Sequence, residues 1–404
     1  DNYYVYFNIE NNTFKYTLGN DKPELILTVT GPDGSEVTSL PGLTYKEVQD
    51  RENKTVKGFD VTTTNGLITI ANKKTITATP SKEEQYTLKL TFVNYEGDQT
   101  ANATSTLSAK VMIQKEMIPF HETCNDNTLA CHTAKLYTGT QGANNIYYHD
   151  ASLTNGANDN SYRFAGASDA VNNYVCFGSN VTPCPTDNLY RIIGVFGDKV
   201  KLIKSDYATS TLLGADGDYE EKYSYDSSKY KGNTNNLANI AGYTWNYKNN
   251  TSINGGNGSN TWSTSLLNNT NLNKNFITNI GEEWAKKIDM TTWKVGGNTW
   301  ANIGKQPAKT AYQNEINNPV TTNTTDNATT YSAKVGLMYA SDYGFAAAPS
   351  AWTANLNTYN GEAIKNVNWM YMGLSEWTIS RNADNAYRVF NVDDAGILGY
   401  TIAN

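Results

Sequence analysis

The first 117 residues carry a period of two and no helical period, which restricts them to strands. Tyr3, Val5, Phe7 and Ile9 alternate with Tyr4, Tyr6, Asn8 and Glu10. Successive side chains of a strand point to opposite faces, so this segment has two distinct sides. Leu25, Leu27 and Val29 repeat the pattern and end at the turn Gly31-Pro32-Asp33-Gly34. Tyr86, Leu88, Leu90 and Phe92 form a further stripe, as do Leu107, Ala109, Val111 and Ile113. Phe59–Thr64 and Leu67–Ala71 flank Asn65-Gly66, the strongest short hairpin signal. Short strands separated by turn chemistry predict an all-β sandwich over residues 1–117.

A chain of 404 residues exceeds one ordinary core, and its composition changes after residue 117. Cysteines appear, loops lengthen, and all eight tryptophans lie beyond residue 240. Residues 118–404 read as a second, α+β domain. Leu189–Val195 and Lys199–Lys204 flank Gly197-Asp198 and predict a hairpin. Leu266, Leu267, Leu272, Phe276 and Ile277 give 262–280 a near-helical spacing, and 281–293 also reads as helical. Short strands are expected at 333–338, 377–380, 387–392 and 397–402, with Asp393–Gly396 as a hairpin turn. Polar loops are expected at 249–260 and 321–330.

Net charge is −7 and no block of Lys or Arg stands out, so the basic footprint of a nucleic-acid binder is missing. No apolar run approaches the roughly 18 residues of a membrane span. Charged residues are 18% of the chain, and Asn, Thr, Ser and Gly take their place, as on an extracellular surface. The opening at Asp1 reads as a mature or trimmed product. The cysteines form two close pairs, Cys124 with Cys131 and Cys176 with Cys184, which predicts two local disulfides. Four free thiols or a thiolate zinc site are the alternatives, although zinc pairs are usually spaced more tightly.

His121, His132 and His149 accompany no nucleophile motif, and no Gly-x-Ser-x-Gly, His-Glu-x-x-His or phosphate loop occurs. Glu282, Glu283, Glu315 and Glu376 are candidate catalytic carboxylates, with solvated or structural roles as the commoner alternative. Asp216–Glu221 clusters oxygen ligands as a calcium loop does, but lacks the twelve-residue EF-hand pattern and also reads as a solvated acidic loop.

Gly373-Leu374-Ser375-Glu376-Trp377-Thr378-Ile379-Ser380 resembles the Glu-Trp-Thr core of formylglycine-generating-enzyme-like folds, a branch of the C-type-lectin architecture. Leu189–Val195 and Lys334–Gly344 resemble segments of surface proteins of gut Firmicutes. This likeness covers about 120–404 and implies a C-type-lectin-like domain. The cysteines do not stand where such an enzyme keeps its copper-binding pair, and the lectins' Glu-Pro-Asn motif is missing. The resemblance therefore implies neither an enzyme, a cofactor nor a calcium-dependent sugar site. Phe92–Asn102 and Ser108–Glu116 resemble the TasA/camelysin group of biofilm-matrix proteins. That likeness implies a sandwich of Ig-like or jelly-roll type, and with it assembly by passing an N-terminal strand to the next subunit.

These features together predict a secreted, non-enzymatic, cell-surface protein: a subunit of a surface filament or matrix fibre that polymerises head to tail with copies of itself. Tyr3, Val5, Phe7 and Ile9 would form the donated strand, the alternative being a first strand that completes its own sandwich. The alternative is a monomeric adhesin that binds a host or cell-surface glycan or protein. Its contacts would come from Trp377, Arg381, Asn382, Asp384, Asn385, Tyr387 and Arg388, because Tyr, Arg and Asn suit binding surfaces.

Overall fold

In a computed structural model the opening stripe forms one long strand, β1 (Asn2–Asn12). The structure describes residues 1–76, 82–124, 127–216, 219–220, 242–246, 258–320, 328–373 and 375–403. Contacts divide the chain into two units, Asp1–Lys135 and Leu136–Asn404. The fold is β-rich, as expected, and its sheets are mostly antiparallel.

In the first unit β1 is followed by β2 (Leu25–Thr30), β3 (Tyr45–Gln49), β4 (Thr55–Asp60), β5 (Gly66–Thr75), β6 (Thr87–Phe92) and β7 (Leu107–Gln114). One sheet has the order β5-β1-β7 and the other β3-β4-β2-β6. Val5, Phe7 and Ile9 of β1 meet Leu25, Leu27, Val29, Phe59 and Val61 of the second sheet in one core, joined by Ile68 and Ile70 of β5. The alternation read from sequence is therefore the core alternation. The hairpin expected at Asn65-Gly66 does not form, because β4 and β5 belong to different sheets. The segment between them crosses the sandwich instead. The Asn12 amide holds it there, donating to the carbonyls of Val61, Thr62 and Thr64 at 3.0–3.1 Å.

The chain after β7 turns back onto this unit. Ile118 N–H donates to the Tyr6 hydroxyl at 2.9 Å, so Tyr6, on the outer face of β1, is buried. Helix α1 (Phe120–Thr123) contacts β5, and α2 (Leu129–Ala134) packs on α1. This return places the division after Lys135, beyond the boundary at 117/118 suggested by composition.

The second unit opens with β8 (Ile146–Tyr148), β9 (Tyr162–Phe164), β10 (Tyr174–Cys176), β11 (Leu189–Phe196) and β12 (Lys199–Lys204). Strand β11 pairs with β10, β9 and β12, and β9 pairs with β8. The β11–β12 hairpin turns at Gly197-Asp198 as expected, with Gly197 at φ 65°. Helix α3 (Ser210–Leu213) and the short pair β13 (Tyr219–Glu220) and β14 (Gly242–Tyr243) follow. The expected helix at 262–280 is a 3-10 turn, Trp262–Thr264, then a π-helix, Leu267–Phe276, then α4 (Ile277–Asn279).

Within 281–293 only α5 (Glu282–Ala285) is helical, and β15 (Thr291–Lys294) is a strand. β-branched Thr291 and Thr292 favour a strand, and the Trp293 indole N–H fixes it by donating to the Ala333 carbonyl. After β16 (Gly297–Asn298) and α6 (Ala308–Tyr312), β17 (Thr330–Ala333) pairs with β15. This strand ends where one was expected to begin. Helix α7 (Ala340–Ala346) is wholly buried. The sheet β16-β18-β19-β20 closes the unit, with β18 (Glu376–Asn382), β19 (Arg388–Val392) and β20 (Leu398–Ile402). Asp393–Gly396 makes the β19–β20 turn, Asp393 N–H donating to the Ile397 carbonyl.

Candidate functional site

The two cysteine pairs form the local disulfides predicted for them, Cys124–Cys131 and Cys176–Cys184, with Cα separations of 5.6 and 5.7 Å. This removes the free-thiol and zinc alternatives. Glu282 and Glu283 are exposed and pair with Lys286 and Lys287 one helical turn on, as solvated carboxylates do. The acidic stretch 216–221 falls largely outside the described residues. Asp216 itself accepts from the Asn275 amide at 2.6 Å. Most of the polar loops 249–260 and 321–330 also lies outside them.

The densest chemistry lies inside the second unit. Arg163, on β9, is 2% exposed. Its guanidinium donates to Asp342 Oδ1 at 3.2 Å, to Asp159 Oδ2 at 2.7 Å and, through Nε, to the Ser161 hydroxyl at 2.8 Å. Phe196, Phe345 and Tyr312 stack against it at 4.6–5.2 Å. Lys201 of β12 reaches the other oxygen of Asp342 and lies 4.1 Å over the Tyr339 ring. Asp342 also accepts the Tyr339 N–H at 2.9 Å, capping α7. Burial would raise the Asp159 carboxyl, but Arg163 and the Ser161 hydroxyl hold it down at about 2. Burial lowers Lys201, against the pull of Asp342.

Glu315 adjoins this cluster. Its carboxylate accepts from Ala340 N at 2.9 Å, Ser341 N at 3.1 Å, the Ser341 hydroxyl at 2.6 Å and the Ser380 hydroxyl. Burial nevertheless pushes its carboxyl up to about 7, against the Ser341 hydrogen bonds. Burial likewise pushes Glu376 up to about 8, and its Oε1 has no hydrogen-bond partner among the described residues. His149 is fully buried. Its Nδ1 accepts the Ala157 N–H at 3.0 Å, and its ring packs against Phe345 and Trp352.

These charges answer one another within the unit. They tie β9 and β12 to α7, while Glu315 ties β18 to the same helix. Two of the four carboxylates singled out from sequence, Glu282 and Glu283, are surface groups, and Glu315 is an interior fastener. Sequence reading missed Arg163, Lys201, Asp159 and Asp342, which assemble across separations as large as 179 positions.

The expected binding residues divide. Arg381 and Asn382 are interior, at 1% and 0% exposure, not surface contacts. They end a central strand, and Arg381 donates to the Ala328 carbonyl at 3.0 Å. Trp377 is half-buried, its indole N–H donating to the Tyr243 carbonyl at 2.8 Å. The loop after β18 is pinned from beneath. The buried Asn260 amide donates to the carbonyls of Asn382, Asn385 and Arg388 at 2.7–3.1 Å. Above it, Asp384 is exposed and accepts the Trp300 N–H at 3.0 Å, and Asn385 caps the Tyr387 N–H. Arg388 lies 5.0 Å over Tyr400 and 6.0 Å over Tyr387. Its Nε has no hydrogen-bond partner among the described residues.

In the first unit the expected strand residues Val5, Phe7 and Ile9 are buried, and Tyr3 packs partly buried against the same core. Comparisons of the chain with protein-family models, with curated proteins and with solved structures find no match.

Proposed function

We propose that this chain is an extracellular structural subunit of a bacterial surface filament or matrix fibre. In this reading the first unit joins copies by strand donation, and the second unit is a C-type-lectin-like domain carried on the assembly. One observation supports it most. Strand β1 lies between β5 and β7, which do not pair with each other. A body without β1 therefore has a slot with two open edges and an apolar floor. The β1 of a neighbour would restore the same backbone hydrogen bonds and bury the same Val5, Phe7 and Ile9. A head-to-tail transfer whose rotation does not close extends into a filament.

Two further facts fit an exported protein. Both disulfides are formed, and no described helix is long and apolar enough to cross a membrane. The reading includes no catalysis and no cofactor, and Arg163, Lys201, Asp159 and Asp342 serve in it as interior fasteners.

The adhesin reading is favoured by a different observation, the partly exposed stack of Tyr387, Arg388 and Tyr400 over a pinned loop. The two readings part on one experiment. Protein lacking residues 2–11 is compared with the full chain by electron microscopy and light scattering, with and without a peptide of those residues. The filament reading expects fibres from the full chain, none from the truncated protein, and saturable binding of the peptide. Fibres from the truncated protein, or a full chain that stays monomeric at every concentration, would end it.

A further inference from the structure

We infer that the β6–β7 side of the first unit is a self-association surface, at which a second copy of this chain docks edge to edge. The observation is a mismatch between facing and burial. In β7 the residues Ala109, Val111 and Ile113 stand beside Ile9, Phe7 and Val5 of β1 and share their face. The β1 residues are 1%, 7% and 2% exposed, yet Val111 is 53% and Ile113 71% exposed. In β6, Leu90 and Phe92 stand beside Leu27 and Leu25, which are 0% and 5% exposed, while they themselves are 38% and 44% exposed. Both sheets thus end in a strand that is covered at one end, by Leu88 on β6 and by Leu107 and Ala109 on β7, and uncovered at Leu90 and Phe92 and at Val111 and Ile113.

The two uncovered rims belong to the same side of the sandwich. Tyr86, just before β6, meets Tyr3 at 3.2 Å between hydroxyls, and Phe92 at its end packs on Phe14 beyond β1. β6 therefore lies across the core from β1, and β7 extends one strand beyond it. Among the described residues β6 pairs with β2 alone and β7 with β1 alone, so each rim also presents unpaired backbone groups. Proteins blunt such edges with prolines, inward-pointing charges and edge lysines. The strands 87–92 and 107–114 hold no proline and no inward-pointing charge, and one lysine each. Lys89 and Lys110 point to the opposite face, and Lys110 is paired with Glu10 at 2.5 Å.

A second copy fits this rim better than a charged partner would. Antiparallel pairing of β7 with its own twin, centred on Val111, sets Ile113 opposite Ala109 and Lys110 opposite Met112, with no like charges directly opposed. A twofold contact of this kind pairs the open backbone edges and sets the apolar strips of the two copies, each on the order of a few hundred Å², side by side. The surface exists whether β1 comes from its own chain or from a neighbour, so it is independent of strand donation.

The test uses the full chain. Wild type and the rim variants Val111→Lys and Ile113→Lys are followed by sedimentation over a concentration series, with circular dichroism as the check on folding. Both positions are exposed, so the variants keep their spectrum and melting point. The wild type dimerises, and each variant raises the dissociation constant about tenfold or more. Val111→Cys under mild oxidation gives a disulfide-linked dimer, and Val181→Cys, exposed in the other unit, does not. Association that persists unchanged in the lysine variants, or a wild type monomeric throughout, overturns the inference. Filaments that vanish on deleting residues 2–11 but survive Ile113→Lys, with the dimer still sensitive to it, separate this contact from strand donation.

Discussion

Acid should weaken the second unit through His149, and the size of the effect follows from its surroundings. The ring is fully buried, and burial, helped by the nearby Arg163 cation, holds its pKa well below the ordinary 6.5. Because Nδ1 accepts the Ala157 N–H, the proton of the neutral ring sits on Nε2, which faces no hydrogen-bond partner among the described residues. The unfolded chain binds a proton at 6.5 and the folded chain does not. The contribution of His149 to stability is therefore complete above pH 6.5 and is lost as pH falls below it. With at most one proton unmatched, the loss has a ceiling of about 2 kcal/mol at pH 5 relative to pH 8.

Glu315 and Glu376 act in the opposite sense. Their folded pKa values, raised to about 7 and about 8 from 4.5, cost stability as pH rises through that range. The His149 effect must accordingly be measured as a difference. His149→Asn keeps an acceptor near the Ala157 N–H but cannot titrate. Urea unfolding followed by tryptophan fluorescence reports this unit alone, since all eight tryptophans lie in it. The stability of wild type minus that of the variant should fall from pH 8 to pH 5, by as much as about 2 kcal/mol. A difference that stays level across that range would refute the buried, neutral ring.

Three further outcomes are expected. Arg163→Met should cost about 3–5 kcal/mol in the same fluorescence assay, because Asp159 and Asp342 are left buried without their shared cation. A loss under about 1 kcal/mol would mean that water or Lys201 takes over the role. Gly194→Ala would place a Cβ 2.3 Å from the Tyr162 carbonyl oxygen, so it should force β9 off β11 and cost about 1–3 kcal/mol, and an unchanged melting point argues against that register. Asn102→Ala should free the Lys15 backbone, whose N–H and C=O it holds at 3.1 and 2.8 Å, lowering first-unit stability by about 1–3 kcal/mol and speeding hydrogen exchange at the Lys15 amide.

What the sequence reveals of this fold depends on the range of the signal. β1, β2, β7 and the turns at Gly197-Asp198 and Asp393–Gly396 are local patterns, and the structure repeats them. Asn65-Gly66 carries an equally local signal and misleads, because burial of Phe59 and Ile68 in one core decides which sheet each strand joins. The stretch 281–293 has a mixed apolar spacing that strand pairing with β17 resolves against the helix. Arg381 and Asn382 look like surface residues by type. Only the position of β18 beneath Asn260 and beside β16 shows them to be interior. The charged cluster around Arg163 has no sequence signature, since its members meet only after β9, β12 and α7 have packed.

The scarcity of charge and the abundance of asparagine, read at first as surface properties, also explain how the long loops are ordered. Buried amides take the place of regular hydrogen bonding. Asn271 donates to the carbonyls of Leu213 and Asp216, Asn298 to those of Asn314 and Asn318, and Asn173 to that of Ile192. Asn260 does the same for three carbonyls of the loop after β18. Each amide satisfies backbone oxygens of irregular segments, at a desolvation cost far below that of a charged group. A side chain that does not titrate gives these anchors no dependence on pH. The pH response of the unit is thereby concentrated in the few groups that do titrate in its interior, His149, Glu315 and Glu376 among them. The three contacts of Asn260 beneath the loop after β18 are of this non-titrating kind.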